Sequence, residues 1–332
     1  MSEKKLGYNI RIKAEKVDHE VFKEYVEIAK RADKAGLYFL AFPEFFGRFD
    51  RNRIHIIPYM TAIATNTEHA LVGPDVLQIP FLHPKHIADI GASLDIITNG
   101  RFVLGIGTGW QPAEFEKFGL SFKDRGKITD ESLDIIIKLW TQPSIAEYNG
   151  KFFRFKEVCS PPCIQKPHPP IWVGGASDAA LRRTAQYGNE WAPTWWLEGC
   201  SGLSSLPAGT WSVEERLDKL RDYSRKFGKE VVVGRAPRTP KEVGYNQRIH
   251  VNINPDKEKA LEDAQRFSGV TRKAWGPAEF KMRDSVFGNA EEIIEKLEEI
   301  YNSGAYLITL YPLSADSRTQ WERIEREVLP SL

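Results

Sequence analysis

The chain has 332 residues, 46 of them basic and 45 acidic, a net charge of +1 and 42% hydrophobic residues. That length suits one (β/α)8 barrel with insertions and a sizeable core, and the balanced charge gives no reason to expect nucleic acid or an anionic membrane surface as a partner. Apolar stretches such as Ile54 to Ala64 are too short to span a bilayer, the start Met1-Ser2-Glu3-Lys4-Lys5 lacks a signal peptide's apolar core, and the three cysteines (Cys159, Cys163 and Cys200) cannot all pair, so a reducing cytoplasm is expected.

Short apolar runs alternate with helical periods, the pattern of parallel strands covered by helices. Tyr8 to Ile12 reads as a first strand, and a helix follows from the N-cap Asp18 to Gly36. Leu37 to Phe42 is a second strand stopped by Pro43, then comes a helix over Ile54 to Thr65 and a third strand over Ala70 to Leu77. His83-Pro84 opens the next helix and Asn99-Gly100 closes it, with Ile87, Ile90, Leu94 and Ile97 on one face. Arg101 to Gly107 is a fourth strand. After a short loop, Ile128 to Trp140 carries another helical stripe, and Asn149-Gly150 with Lys151 to Phe155 predicts a small hairpin.

Pro161 to Pro170 is an extended connector into strand Ile171-Trp172-Val173, followed by a helix over Ser177 to Tyr187 and a sixth strand over Glu190 to Thr194. The Gly- and Ser-rich run Cys200 to Thr210 reads as a mobile loop before a helix over Ser212 to Phe227. Arg248 to Asn254 is the seventh strand, with Val231 to Val233 competing for the place; Gly269 to Phe287 has no clear pattern. A helix over Ala290 to Tyr301, an eighth strand over Tyr306 to Leu310 and a closing helix over Trp321 to Leu329 complete the series. Eight such units favour one closed (β/α)8 TIM barrel over residues 1–332, with insertions in the strand–helix loops, rather than an open doubly wound sheet.

Three segments have the residue types for chemistry. Gly105-Ile106-Gly107-Thr108-Gly109-Trp110 follows a strand, but its G-x-G-x-G spacing and the helix after it do not fit a dinucleotide fold. Its glycines either let a barrel strand turn sharply or let a flat ring approach the backbone, with Thr108 offering a hydroxyl and Trp110 a stacking surface. Trp172-Val173-Gly174-Gly175-Ala176-Ser177-Asp178 leads into a helix whose N-terminal N–H groups suit an anion; Ser177 either binds a phosphate oxygen or simply caps the helix. Glu44, in Phe42-Pro43-Glu44-Phe45-Phe46, lies at a strand end among aromatic residues, where a carboxylate either orients and protonates a substrate or is an ordinary loop acid. His83 with His86, and Cys159 with Cys163, lack the further ligands of a metal site. Trp191, Trp195 and Trp196 fall at the end of the sixth strand, where they would ring a barrel mouth.

These segments, in this order, resemble the luciferase-like monooxygenase superfamily of flavin- and deazaflavin-dependent oxidoreductases, across roughly residues 8–312. The resemblance rests on Leu94-Asp95, Gly100-Arg101-Phe102, Gly105 to Trp110, Glu114-Phe115, Phe118-Gly119, Arg125, Leu139-Trp140-Thr141, Gln165 to Pro170, Ile171 to Gly175 and Phe287-Gly288. It implies a (β/α)8 barrel, a homodimer, and a ring bound across the C-terminal strand ends. Glu44 and Trp110 then take the catalytic positions. Asp75, Val76, Thr108, Gly109, Gly174, Gly175, Ser177 and Trp191 take the cofactor positions, with a non-proline cis peptide at Asp75-Val76 behind the ring. The sequence also departs from the family: Phe45 stands where many relatives carry a His, which argues against a sugar-phosphate dehydrogenase mechanism using it. Gly73-Pro74-Asp75 replaces a Gly-Thr-small pattern, and Asn189-Glu190-Trp191 replaces Asp-Gly-Trp.

The resemblance implies oxidation of a small organic substrate with reduced FMN and molecular oxygen, the reduced cofactor being supplied by a separate flavin or deazaflavin reductase. Hydride transfer with a deazaflavin (coenzyme F-420) is the alternative, and the Val173-Gly174-Gly175 loop looks somewhat more like deazaflavin branches. A non-catalytic flavin-binding barrel is a third reading. A metal hydrolase would need carboxylates and histidines at several strand ends, which the strand map lacks.

Overall fold

The alternation closes on itself. In the computed structural model, which describes residues 4–12, 17–44, 54–193, 212–272, 285–314 and 316–332, nine parallel strands follow one another round a barrel wall. They are Lys5–Asn9, Phe39–Phe42, Leu71–Pro74, Leu77–Gln78, Leu104–Gly107, Ile171–Gly174, Glu190–Ala192, Glu242–Ile253 and Leu307–Pro312. Leu71–Pro74 and Leu77–Gln78 are two pieces of one strand interrupted at Asp75-Val76, so the wall has the eight positions expected of this fold. Lys5 pairs with Leu307 on one side of the first strand and Gly7 with Phe39 on the other. The ring closes where Val72 bridges Phe102, with Val103 N donating to the Val72 carbonyl at 3.0 Å.

Most predicted elements stand where their punctuation put them. Asp18 caps helix His19–Lys34, accepting from Glu20 N and Val21 N at 3.1 Å each. His83 caps helix Pro84–Ile97, and Ser177 caps Asp178–Tyr187. The small hairpin is Ile145–Asn149 against Arg154–Val158, tied down by the Glu131 carboxylate, which accepts from Phe153 N at 2.9 Å.

Several boundaries differ from expectation; the fourth strand begins at Leu104 and the closing helix at Ser317. The first strand begins at Lys5 and ends at Asn9, because its pairing with Leu307 to Leu310 holds the charged start in the sheet. The seventh strand runs from Glu242 to Ile253, and Glu230–Val231 is a short neighbour pairing with its start rather than a rival. The patternless region contributes the end of helix Lys257–Arg272 and a strand, Ser285–Gly288, that pairs with His250 to Ile253.

Several residues that carry the resemblance turn out to hold the scaffold. The Asp95 carboxylate accepts from Ile164 N at 2.6 Å and from the Gln165 amide at 2.8 Å, docking the proline-rich connector on helix Pro84–Ile97. Arg101 donates to the Ala64, Thr67 and Ala70 carbonyls at 3.0, 2.8 and 2.8 Å, closing the end of helix Ile56–Ala64. Among the described residues no helix is long and apolar enough to cross a membrane.

Inside the barrel, alternate strand residues face inward. At the N-terminal end large rings fill the space: Phe39 lies 4.6 Å from Trp172, and Tyr306 and Leu307 complete the cluster. Towards the C-terminal ends the inward positions become Gly73, Gly105, Gly107, Gly174 and Ala192. That change in side-chain size sets the barrel's open end.

Candidate active site

The break in the third strand shapes this end. The Asp75-Val76 peptide bond is cis, at the position the resemblance implied, and Asp75 N donates to the Phe42 carbonyl at 2.7 Å. A β-carbon on Gly105 would lie 2.0 Å from the Pro74 carbonyl oxygen, and one on Gly107 would lie 2.6 Å from Val76 Cγ2. A β-carbon on Gly174 would lie 3.0 Å from Val76 Cγ1. The two glycine motifs therefore make room for the same feature, the bulge that carries Val76. Gly105 and Gly107 thus give the bulge its room, and Val76 becomes an apolar wall between the fourth and fifth strands.

Beneath this wall lies a buried polar network built by three strands. Arg248, from the seventh strand, places Nη1 3.1 Å from Asp75 Oδ1, with the two side chains 8% and 4% exposed. Arg248 Nη2 donates to the Ala192 carbonyl at 2.9 Å. The Tyr311 hydroxyl, from the eighth strand, donates to Asp75 Oδ2 at 2.6 Å. Burial pushes the Asp75 carboxyl above its usual range, against the pull of Arg248 and Tyr311. Burial and the neighbouring Asp75 together push the Tyr311 phenol well up.

Among the described residues, Arg248 Nε, Asn9 Nδ2 and Gln78 Oε1 are buried without hydrogen-bond partners. An unpaired buried polar atom is costly and points to a missing partner. These atoms belong to the seventh, first and third strands. Gln78 Oε1 would lie 2.8 Å from a β-carbon on Gly109, whose φ of +76° suits glycine.

The other expected residues fall in two groups. Glu44 is 8% exposed, two residues beyond the strand-two carbonyl that receives Asp75 N, so the acid and the bulge are neighbours. Thr108, Gly109 and Trp110 follow the fourth strand, half-buried, ahead of a short helix, Pro112–Lys117, in a stretch expected to be loop. Ser177 is engaged as a cap, its hydroxyl accepting from Ala180 N at 3.2 Å, and Gly175 has a φ of +99°. Trp191 lies on the outer face of its strand, wholly buried, 5.2 Å from the Tyr245 ring. Its indole N–H donates to the Gly175 carbonyl at 2.9 Å, which links it to the mouth through that backbone. Phe45, Phe46, Thr194, Trp195, Trp196 and the run Cys200 to Thr210 lie outside the described residues. His83 and His86 have rings 6.1 Å apart, and the described residues hold no cluster of three or more metal-ligating side chains.

The sequence reading did not single out Arg248, Tyr311, Asn9 or Gln78. A signal was there for Arg248: Asn246, Arg248, His250 and Asn252 alternate with Ile249, Val251 and Ile253, a polar face on a strand that faces the barrel interior.

A model of the luciferase-like monooxygenase family matches residues 6–307. The chain belongs to that family. A flavin-dependent relative, the oxygenase component of trigonelline monooxygenase from Acinetobacter baylyi, is 29% identical over 225 residues, covering 65% of this chain and 58% of that protein. The F420-dependent glucose-6-phosphate dehydrogenase of Amycolatopsis mediterranei is 26% identical over 284 residues, covering 83% of this chain and 77% of that protein. In fold the chain is similar to the monooxygenase RslO1 from Streptomyces bottropensis, with a TM-score of 0.76, 22% identity and coverage of 98% and 99% of the two chains. The chain's relatives thus include both flavin- and F420-dependent oxidoreductases.

Proposed function

We propose that the chain oxygenates a small organic substrate with reduced FMN and molecular oxygen at the C-terminal end of the barrel. The observation that carries this reading is the cradle formed by Gly107, Gly174 and the Val76 bulge, together with buried, unpaired polar atoms of Asn9, Gln78 and Arg248 on the same barrel strands. An isoalloxazine has an apolar face and a hydrogen-bonding edge, and this combination of an apolar wall with orphaned donors and an acceptor fits both. When bound, the flavin supplies the oxygen activation, and the protein positions and shields it.

In this reading Val76 would pack against the ring, and the Asn9 and Gln78 amides would hold its polar groups. Trp110 covers the mouth from the fourth strand, excluding water. Glu44, buried beside the bulge, orients the substrate and handles its proton. The N-terminus of helix Asp178–Tyr187, reached through Gly174-Gly175, receives the phosphate tail. The enzyme works as a cytoplasmic homodimer and receives reduced flavin from a separate reductase.

Hydride transfer with a deazaflavin is the second reading, favoured by the larger share of the chain that the F420-dependent relative matches. Anaerobic titration with reduced FMN and with a reduced deazaflavin separates the two. The expected result is tighter binding of reduced FMN, followed by substrate-dependent oxygen uptake. Tighter deazaflavin binding without oxygen uptake selects the second reading, and tight binding of neither overturns both.

A further inference from the structure

The Arg248–Asp75 pair is an expensive feature to bury. Replacing such a pair by apolar residues of similar size is often neutral or stabilising, so its presence says little for stability. Its location is more telling. The guanidinium reaches from the seventh strand to the Asp75 carboxylate of the third and the Ala192 carbonyl of the sixth. A β-carbon on Gly174, in the fifth strand, would lie 3.4 Å from Nη2. Four strands thus converge on one cation beside Gly174, and Tyr311 adds the eighth through its hydroxyl on Asp75.

We infer that Arg248 and Asp75 form a charged floor under the ring site, in which the Arg248 cation favours the reduced, anionic form of the bound cofactor and the Asp75 carboxylate limits that preference. The inference rests on the ring being bound at the cradle as proposed above. Adding a hydride, two electrons and one proton, to a neutral oxidised ring leaves one negative charge on it. A fixed cation below the ring lowers the free energy of that form relative to the oxidised one, and a fixed anion raises it. Arg248 cannot give up its charge, so the cation is always present. Asp75 is the adjustable member: burial already pushes its carboxyl up, and an anionic ring overhead pushes it further the same way.

The two charges predict effects of opposite sign. Arg248→Met should weaken binding of the reduced cofactor about tenfold more than binding of the oxidised form, lowering the bound potential by about 30 mV for a two-electron couple. Asp75→Asn should do the reverse, tightening the reduced form relative to the oxidised one by a similar factor. The double variant, without either charge, should fall between them. The measurements are anaerobic fluorescence titrations of oxidised and reduced FMN, and of the deazaflavin pair, with the midpoint potential of the bound cofactor as an independent readout.

A purely structural role for the pair would move both oxidation states together, or shift the two single variants in the same direction, and either result overturns the inference. If Arg248→Met does not fold, Asp75→Asn still decides the sign, since in it Arg248 keeps the Ala192 carbonyl, and the double variant leaves no buried charge unpaired. Wild-type protein that binds neither cofactor overturns the proposed function and this inference with it. Wild-type binding with parallel losses overturns only the inference.

Discussion

The barrel interior holds a buried acid near each end, and their partners differ in kind. At the mouth Asp75 faces a full cation, Arg248, and accepts the Tyr311 hydroxyl. At the closed end Glu190, the first residue of the sixth strand, accepts from two neutral donors, the Tyr306 hydroxyl and the Asn246 amide, with Lys5 contributing charge from farther away. Burial outweighs those partners and pushes the Glu190 carboxyl up to about 7. Glu190 stands where the resemblance would put a glycine, and it completes the packed layer with Trp172, its register partner across the sheet. The contrast separates two uses of a buried carboxylate: one counters a charge at a reactive surface, and the other joins a neutral hydrogen-bonded plug.

Breaking each acid's partnership tests the contrast, and the largest effect should come from the mouth. Arg248→Met leaves Asp75 buried without its cation and should cost about 3–5 kcal/mol of stability near neutral pH. Urea unfolding should show that loss shrinking as the pH falls and Asp75 takes up a proton; a loss independent of pH would contradict the charge argument.

At the closed end the pH dependence runs the same way, because burial raises that carboxyl too, but removing its charge should stabilise the protein. A carboxyl raised from 4.5 to about 7 on folding contributes stability that is complete below the lower value and lost as the pH rises through the upper one. Stability should therefore fall between about pH 4.5 and 7. Glu190→Gln should flatten that slope and stabilise the protein at pH 8 by about 3 kcal/mol. An unchanged slope in the variant would assign the pH dependence elsewhere.

Steric tests come next. Gly105→Ala places a methyl against the Pro74 carbonyl and should cost about 1–3 kcal/mol while weakening cofactor binding, because the bulge must move. Retained affinity would show that the bulge does not shape the ring site. The smallest effect is expected from Tyr306→Phe, about 1 kcal/mol, with the Glu190 titration moving to higher pH as the phenol's hydrogen bond is lost. A titration that stays in place would remove Tyr306 from the account.

Much of this architecture was legible in the sequence because its signals are local. Asp18, His83 and Ser177 act as caps where the polar residue before an apolar period announced them. The hairpin at Asn149-Gly150 and the left-handed Asn99-Gly100 pair follow from turn chemistry. The resemblance placed the Asp75-Val76 cis peptide although Pro74 departs from the familiar pattern. Less legible was what each motif does. Asp95, Arg101 and Gln165 read as family markers, and only their hydrogen bonds show them to be scaffold. Trp191 reads as a mouth residue at a strand end, but strand alternation turns its ring to the outer layer.

By itself the sequence determined the order of strands and helices, their capping, the family and a polar stripe on the seventh strand, all properties of neighbours along the chain. Tertiary structure decided what that stripe meets. Arg248 and Asp75 are 173 residues apart, and Tyr311 and Asp75 are 236 apart. They come together only when the barrel closes and the strand register brings them to one level. No local period records such a meeting, because the free energy that brings them together comes from burial of the whole sheet and its helices rather than from the polar residues themselves.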